Sequence, residues 1–150
     1  MGFGLNIKDL IYQNLKKRIK KNEGYSPKPY KDKLGFLTIG FGHLILSNEK
    51  YLLEKKMNKK DLDKIFTNDF NRTLKDFNTF FKYHSSHKKE SELLIEMIFQ
   101  MGIKKVLRFK KLLLHLKKEN KYLVCFEMMS SLWYKQTPQR VKNLINVFIK

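Results

Sequence analysis

Apolar positions recur at three- and four-residue steps through most of this chain. Ile7, Leu10, Ile11, Leu15 and Ile19 trace one stripe and predict an amphipathic helix over 6–22. Lysines fill its other face and crowd its C-terminal end, where cations suit the helix dipole. Glu23 and Gly24 should close it, because glycine readily takes the backbone conformation found past a helix end. The texture changes over 25–46, where aromatic residues and short extended stretches replace the helical period. With Gly24, Gly35, Gly40 and Gly42 this segment holds four of the seven glycines, and with Pro27 and Pro29 two of the three prolines. It is the β region, a hairpin turning at Lys33, Leu34 and Gly35.

From residue 47 onward the period is helical again. Asn58 is placed to cap a helix through Leu62, Ile65, Phe66, Phe70, Leu74 and Phe77. A break at Tyr83, His84, Ser85 and Ser86 precedes a strongly apolar helix through Leu93, Leu94, Met97, Ile98 and Met101, which Gly102 ends. Shorter helices follow across 104–136. Thr137 and Pro138 are a cap and a first helical residue for the last one. These elements predict an α+β fold, mainly helical, with a small N-terminal lobe bearing the hairpin and a larger helical C-terminal lobe. The expected organisation is one domain over 1–150: helix 6–22, a β-bearing lobe over 24–57, a connecting helix over 58–80 and a helical lobe over 81–150.

Composition agrees with a packed core: 42% hydrophobic and 13% aromatic residues exclude a disordered chain even at 31% charge. The single cysteine, Cys125, lies in the apolar run Leu123, Val124, Cys125, Phe126 and is expected to be a buried, inert thiol. No run approaches the ~18 apolar residues of a membrane span, and the start of the chain lacks the pattern of an export signal. The net charge of +18 draws the protein towards polyanions. It does not choose among nucleic acid, anionic lipid and cell wall. The lysines are dispersed in pairs, as on solvated helix faces, and no nucleic-acid recognition motif is present.

Candidate chemistry gathers where the first helix meets the hairpin. Glu23 stands at the helix end. If the loop is 33–35, Asp32 lies opposite Phe36 and Tyr30 opposite Thr38, so Asp32 and Thr38 share one face as diagonal neighbours. A carboxylate beside a hydroxyl can hold one water, and a second carboxyl across a cleft can donate a proton. That is the equipment of an inverting glycosidase. Spacing alone leaves all three equally well as ordinary surface residues near a turn. His84 and His87 are spaced for one helical face, but no third metal ligand is evident, and no metal or other cofactor is expected.

The wording of the segment is more specific than its spacing. Glu23, Gly24 and Tyr25, then Tyr30, Lys31 and Asp32, then the run from Gly35 to Leu44 (GFLTIGFGHL) resemble the signature of phage-type lysozymes, glycoside hydrolase family 24. Phe99 to Gly102 and Trp133 to Arg140 resemble two further landmarks of that family, in the same order, and the likeness spans about residues 12–150. The resemblance implies a two-lobed, lysozyme-like muramidase that cleaves the β-1,4 bond from N-acetylmuramic acid to N-acetylglucosamine. It implies Glu23 as general acid, Asp32 as base or electrostatic partner, and Thr38 as holder of the attacking water. Arg140 would pair with the catalytic glutamate, and His43 with Asp69 in a structural ion pair. Leu44 and Phe99 would line the cleft, with Gln100 a polar neighbour of the glycan. Trp133 is read as core.

Two positions depart from the family pattern: Leu112 and Glu127 stand where polar sugar contacts are expected. The interval from His43 to Asp69 also leaves room for only a shortened small helix. The partner implied is peptidoglycan, with anionic envelope polymers or a membrane surface as further attractions of the charge, no specific nucleic acid, and a monomeric state. The expected life history is retention in a host cytoplasm until release to the wall, for bacterial lysis. A different class, a cationic wall- or membrane-binding module on the same scaffold, would use the charge without the carboxylates.

Overall fold

The computed structural model describes residues 10–84 and 87–150. Helix α1 (Gln13–Glu23) leads into strands β1 (Ser26–Lys31), β2 (Leu37–Gly40) and β3 (His43–Leu44), followed by the short helix α2 (Tyr51–Glu54) and the long helix α3 (Lys59–Phe80). A 3-10 turn (Lys82–His84) precedes α4 (Lys88–Met101), α5 (Ile103–Leu107), α6 (Lys110–Lys117), α7 (Lys121–Met129), α8 (Leu132–Gln136) and α9 (Pro138–Ile149). The strands form one antiparallel sheet in the order β1-β2-β3. The fold is thus α+β and mainly helical, with its sheet near the N-terminus. The expected hairpin gains a third, two-residue strand too short to announce itself by alternation. The chain divides into two compact units within α3, after Arg72.

In the first unit, the helix expected over 6–22 is interrupted: Leu10 and Ile11 are helical, and a turn at Tyr12 separates them from α1. Asn6 and Ile7 lie outside the described residues. Tyr12 departs from helical geometry (φ −101°, ψ 9°), and this turn breaks the phase of the stripe. Leu10 and Ile11 are each 52% exposed, while Leu15 and Ile19 are wholly buried. The Tyr12 ring packs edge-on against Phe70 at 5.9 Å. Lys20 then ties α1 down. Its Nζ lies 4.6 Å from the Phe41 ring centroid, 4.9 Å from that of Phe66 and 3.1 Å from Asp63 Oδ1. A cation over two aromatic faces with a carboxylate beside it fixes the rotation of the helix that ends at Glu23. Gly24 closes α1 by bonding its N–H to the Lys20 carbonyl at 3.0 Å. Beneath the sheet, Ile39, Leu52, Met57 and Leu62 form an apolar cluster with Ile45 and Ile65 packed on it. Asn58 caps α3 through its Oδ1, which accepts the Asp61 N–H at 2.8 Å.

The second unit is built around α4, in which every residue from Ser91 to Ile98 is buried. A helix buried on all sides is a central helix, and α5 and α9 pack against it. The Gly102 N–H closes it on the Ile98 carbonyl at 2.8 Å. Cys125 and Trp133 are buried, and burial pushes the Cys125 thiol pKa up, so the group stays protonated and inert at neutral pH. Thr137 occupies the cap position of α9, but its hydroxyl does not cap. It donates to the Trp133 carbonyl at 3.2 Å and accepts from Gln100 Nε2 at 3.3 Å. No helix among the described residues is long and apolar enough to cross a membrane.

Replacing Lys20 with Met keeps the packing of the aliphatic stem and removes the charge from both rings and from Asp63. Urea denaturation should show a loss of about 1 kcal/mol, the usual scale of a partly exposed cation–π and ion-pair contact.

Candidate active site

Strand pairing sets the first part of the site. Tyr30 pairs with Thr38 and Lys31 with Leu37, and the Asp32 N–H bonds the Phe36 carbonyl at 2.9 Å. The loop is therefore 33–35, with the Gly35 N–H returning to the Asp32 carbonyl at 2.9 Å and Gly35 at φ +87°. A three-residue hairpin loop takes glycine at this position because it needs the left-handed region. The Asp32 side chain folds over the loop. Its Oδ1 accepts the N–H of Leu34 at 2.9 Å and of Phe36 at 2.8 Å. Two backbone donors thus hold one carboxylate oxygen and fix the direction of the other. Across the hairpin, Thr38 is 4% exposed and its hydroxyl donates to the Phe36 carbonyl at 3.0 Å. With its proton committed there, Thr38 Oγ1 faces any further partner as an acceptor.

Glu23, the last residue of α1, lies against the turn between β2 and β3. Gly42 there has φ +75°, and a Cβ built on it would collide with Glu23 Oε2 and stand 3.0 Å from Glu23 Cδ. Only a residue without a side chain lets the backbone come this close. Tyr30, on β1, feels the charge of this carboxylate. Burial, and after it the negative charges of Glu23 and Asp32, hold its phenol above the ordinary pKa of 10. The phenol thus sits in the field of both carboxylates.

His43 anchors the same turn. It is 8% exposed, with Nδ1 2.7 Å from Asp69 Oδ2 and Nε2 3.0 Å from Glu49 Oε1. Two carboxylates offer only acceptors, so both ring nitrogens must carry hydrogen and the imidazole is a cation. Burial by itself would lower its pKa. The hydrogen bonds and charges of Asp69, then of Glu49, outweigh burial and hold it above the ordinary 6.5. Asp69 also accepts from Arg72, and Glu49 Oε1 takes the Leu46 N–H at 2.9 Å.

The first unit therefore brings together Glu23, Asp32, Thr38, His43 and Asp69, with Leu44 46% exposed on β3 opposite Thr38. Phe99 and Gln100, in the last turn of α4, and Arg140, in the first turn of α9, belong to the second unit and are all partly buried. The Gln100 amide is engaged at both ends: Oε1 accepts from Trp133 Nε1 at 2.9 Å and Nε2 reaches Thr137. Leu112 is a core residue at 1% exposure, and Glu127 is partly buried on α7. Tyr30, Gly42 and Glu49 were not singled out by sequence reasoning. Tyr30 carried a signal, its pairing with Thr38. Gly42 stood in a glycine-rich run, and Glu49 gave no sign. His84 and His87 pair instead with Glu90 at 2.7 Å and Glu119 at 3.4 Å. Among the described residues no group of His, Cys, Asp and Glu is arranged to hold a metal ion.

A helix ending on a glutamate, followed by a hairpin presenting an aspartate and a buried threonine, places two carboxyl groups and a hydroxyl in the first unit, and general acid–base chemistry draws on groups of these types. The family model for phage lysozyme matches residues 20–147. Two Dictyostelium discoideum proteins are similar over nearly their whole length. Probable T4-type lysozyme 1 is 32% identical, with 91% of this chain and 94% of the relative covered. Probable T4-type lysozyme 2 is 30% identical, with 92% and 95% covered. The chain belongs to the phage lysozyme family. It is a glycoside hydrolase, a muramidase, and its substrate is peptidoglycan.

The raised His43 pKa gives the pairing a pH signature. Its stabilisation is complete below the ordinary 6.5 of the unfolded chain and is lost as pH rises through the higher folded value. His43→Asn should cost about 3 kcal/mol in mildly acidic buffer, the scale of breaking a buried ion pair. The gap between wild type and variant should narrow at alkaline pH, as read from paired urea titrations.

Proposed function

We propose that the chain cleaves the β-1,4 bond between N-acetylmuramic acid and N-acetylglucosamine with inversion, using Glu23 as general acid, Asp32 as general base and Thr38 to orient the water. The observation that carries this reading is the pair of acceptors on the hairpin. Thr38 has spent its proton on Phe36, and the loop amides hold only one oxygen of Asp32. A water between them gives one hydrogen to Thr38 Oγ1 and the other to the second Asp32 oxygen. Its lone pair is then directed at the anomeric carbon. As the glycosidic bond breaks, Glu23 passes its proton to the leaving oxygen of N-acetylglucosamine. The water adds from the opposite face, and its proton ends on Asp32. The negative charge of Asp32 also favours the oxocarbenium-like transition state. Leu44, Phe99 and Gln100 are assigned to glycan contact.

The biological setting we infer is bacterial lysis. The +18 charge concentrates the enzyme on the anionic wall, an attraction that salt screens. A purely cationic, non-enzymatic action is the competing account.

Digestion of purified peptidoglycan tests the reaction. New reducing ends should be muramic acid, released first as the α-anomer and seen by proton NMR. An initial β-anomer means retention, and anhydro ends mean a transglycosylase. Glu23→Gln should lower turnover by about 10³-fold, within the usual range for a general acid; a variant that clears walls as fast as wild type sinks the enzymatic account of clearing.

Gly42→Ala and Gly35→Ala form a matched pair. Both impose a side chain on a positive φ, but open space surrounds Gly35 while Glu23 stands against Gly42. Each should lose about 1–2 kcal/mol of stability. Only Gly42→Ala should also lose about a hundredfold in turnover, as expected of a displaced catalytic group.

A further inference from the structure

Helix α7 is apolar on both faces. Val124, Cys125 and Met128 turn inward and are buried. On the other side Tyr122, Phe126 and Met129 follow one another at four- and three-residue steps and are 78%, 61% and 52% exposed. Leu123 (41%) borders this stripe, and Leu132 (67%) follows it at the start of α8. Lone exposed apolar residues are ordinary, but a contiguous stripe of large ones marks a surface that meets an apolar phase. The flanking chain is basic: Lys117, Lys118, Lys121 and Lys135 are all exposed.

We propose that the outward face of α7, extended by Leu132, docks on an anionic lipid bilayer. Each alternative occupant satisfies only half of the surface. A wall polymer or other polyanion neutralises the lysines but leaves Leu123, Met129 and Leu132 in water. A second copy of the chain covers the apolar stripe but sets +18 against +18. An anionic bilayer meets both. The lysines lie among the headgroups, and the aromatic and aliphatic side chains enter the boundary between headgroups and acyl chains. Tyr122 suits that boundary, with an apolar ring and a polar tip. The face lies in the second unit, away from Glu23, Asp32 and Thr38 in sequence, and the docking is independent of the reaction proposed for them.

The test is sedimentation of the full chain with vesicles of equimolar phosphatidylglycerol and phosphatidylcholine, and with phosphatidylcholine alone, at low and high salt. The wild type should bind the anionic vesicles and keep part of that binding at high salt. The variant Tyr122→Ser, Phe126→Ser, Met129→Ser should partition at least about tenfold less, because lost apolar insertion weakens binding in proportion to area. Its hydrolysis of purified peptidoglycan should match that of the wild type. Phe126→Ser alone provides the same comparison if the triple variant is unstable. Equal partitioning of wild type and variant, or binding wholly removed by salt, overturns the proposal. So does a concentration-dependent dimer in light scattering that the variant abolishes, since a second copy would then cover the face.

Discussion

The burial of a charged imidazole between two carboxylates is the constraint on which the first unit depends. His43 reaches Asp69 on α3 through one nitrogen and Glu49, ahead of α2, through the other. His43 is 8% exposed, so moving the turn would leave the imidazole without either carboxylate and with little access to water. Such a cluster adds little net stability, because its desolvation offsets most of its attraction. What it supplies is position. It joins the edge strand to the long helix and to the segment between them, and the residue immediately before it is Gly42.

That adjacency carries the effect of the clamp to Glu23. The carboxylate is limited from one side by the Gly42 backbone and from the other by α1, whose rotation Lys20 fixes against Phe41, Phe66 and Asp63. Phe41 belongs to the same turn as Gly42 and His43, so one short segment receives the cation from α1 and meets the carboxylate at its end. Asp32 and Thr38 are positioned by different means, the loop amides and the Phe36 carbonyl. Two independent local devices thus hold the two halves of the site, and Tyr30 lies in the field of both. Precise placement of this kind is what lets a few polar groups lower a barrier.

What was legible in the sequence was whatever depends on neighbours along the chain. Gly24 and Gly102 marked helix ends, Asn58 a cap, and Gly35 with its loop length set the hairpin register down to the pairing of Tyr30 with Thr38. What was not legible depends on partners distant in sequence. The apolar period alone would run one helix unbroken from Leu10 and Ile11 into α1, but a turn intervenes at Tyr12, which packs on Phe70, and that contact is invisible in a local window. Thr137 has the identity of a cap, yet Gln100, from another helix, takes its hydroxyl. Glu49 completes the His43 clamp with no pattern to announce it. His43 and Asp69 themselves entered through a family resemblance, since no spacing rule joins residues so far apart. The assignment of catalytic roles rests in the same way on likeness together with geometry.

Charge and shape divide the remaining labour by range. The +18 field acts over a Debye length, about 8 Å at physiological ionic strength, and is blind to the chemistry of the anion it meets. It raises the time spent near walls and membranes alike. Selectivity must come from contacts shorter than that length. The hairpin supplies one kind, the carboxylate of Asp32 and the hydroxyl of Thr38, each held by its own local hydrogen bonds, which have no use for a lipid. The outward face of α7 supplies another, an apolar stripe that has no use for a polar glycan strand. Salt should therefore separate the two levels: it weakens arrival at any anionic surface, while the short-range contacts made after arrival keep their preferences. A protein with so uniform a charge can still distinguish its surfaces, because the distinction is made by side chains that carry none of the excess.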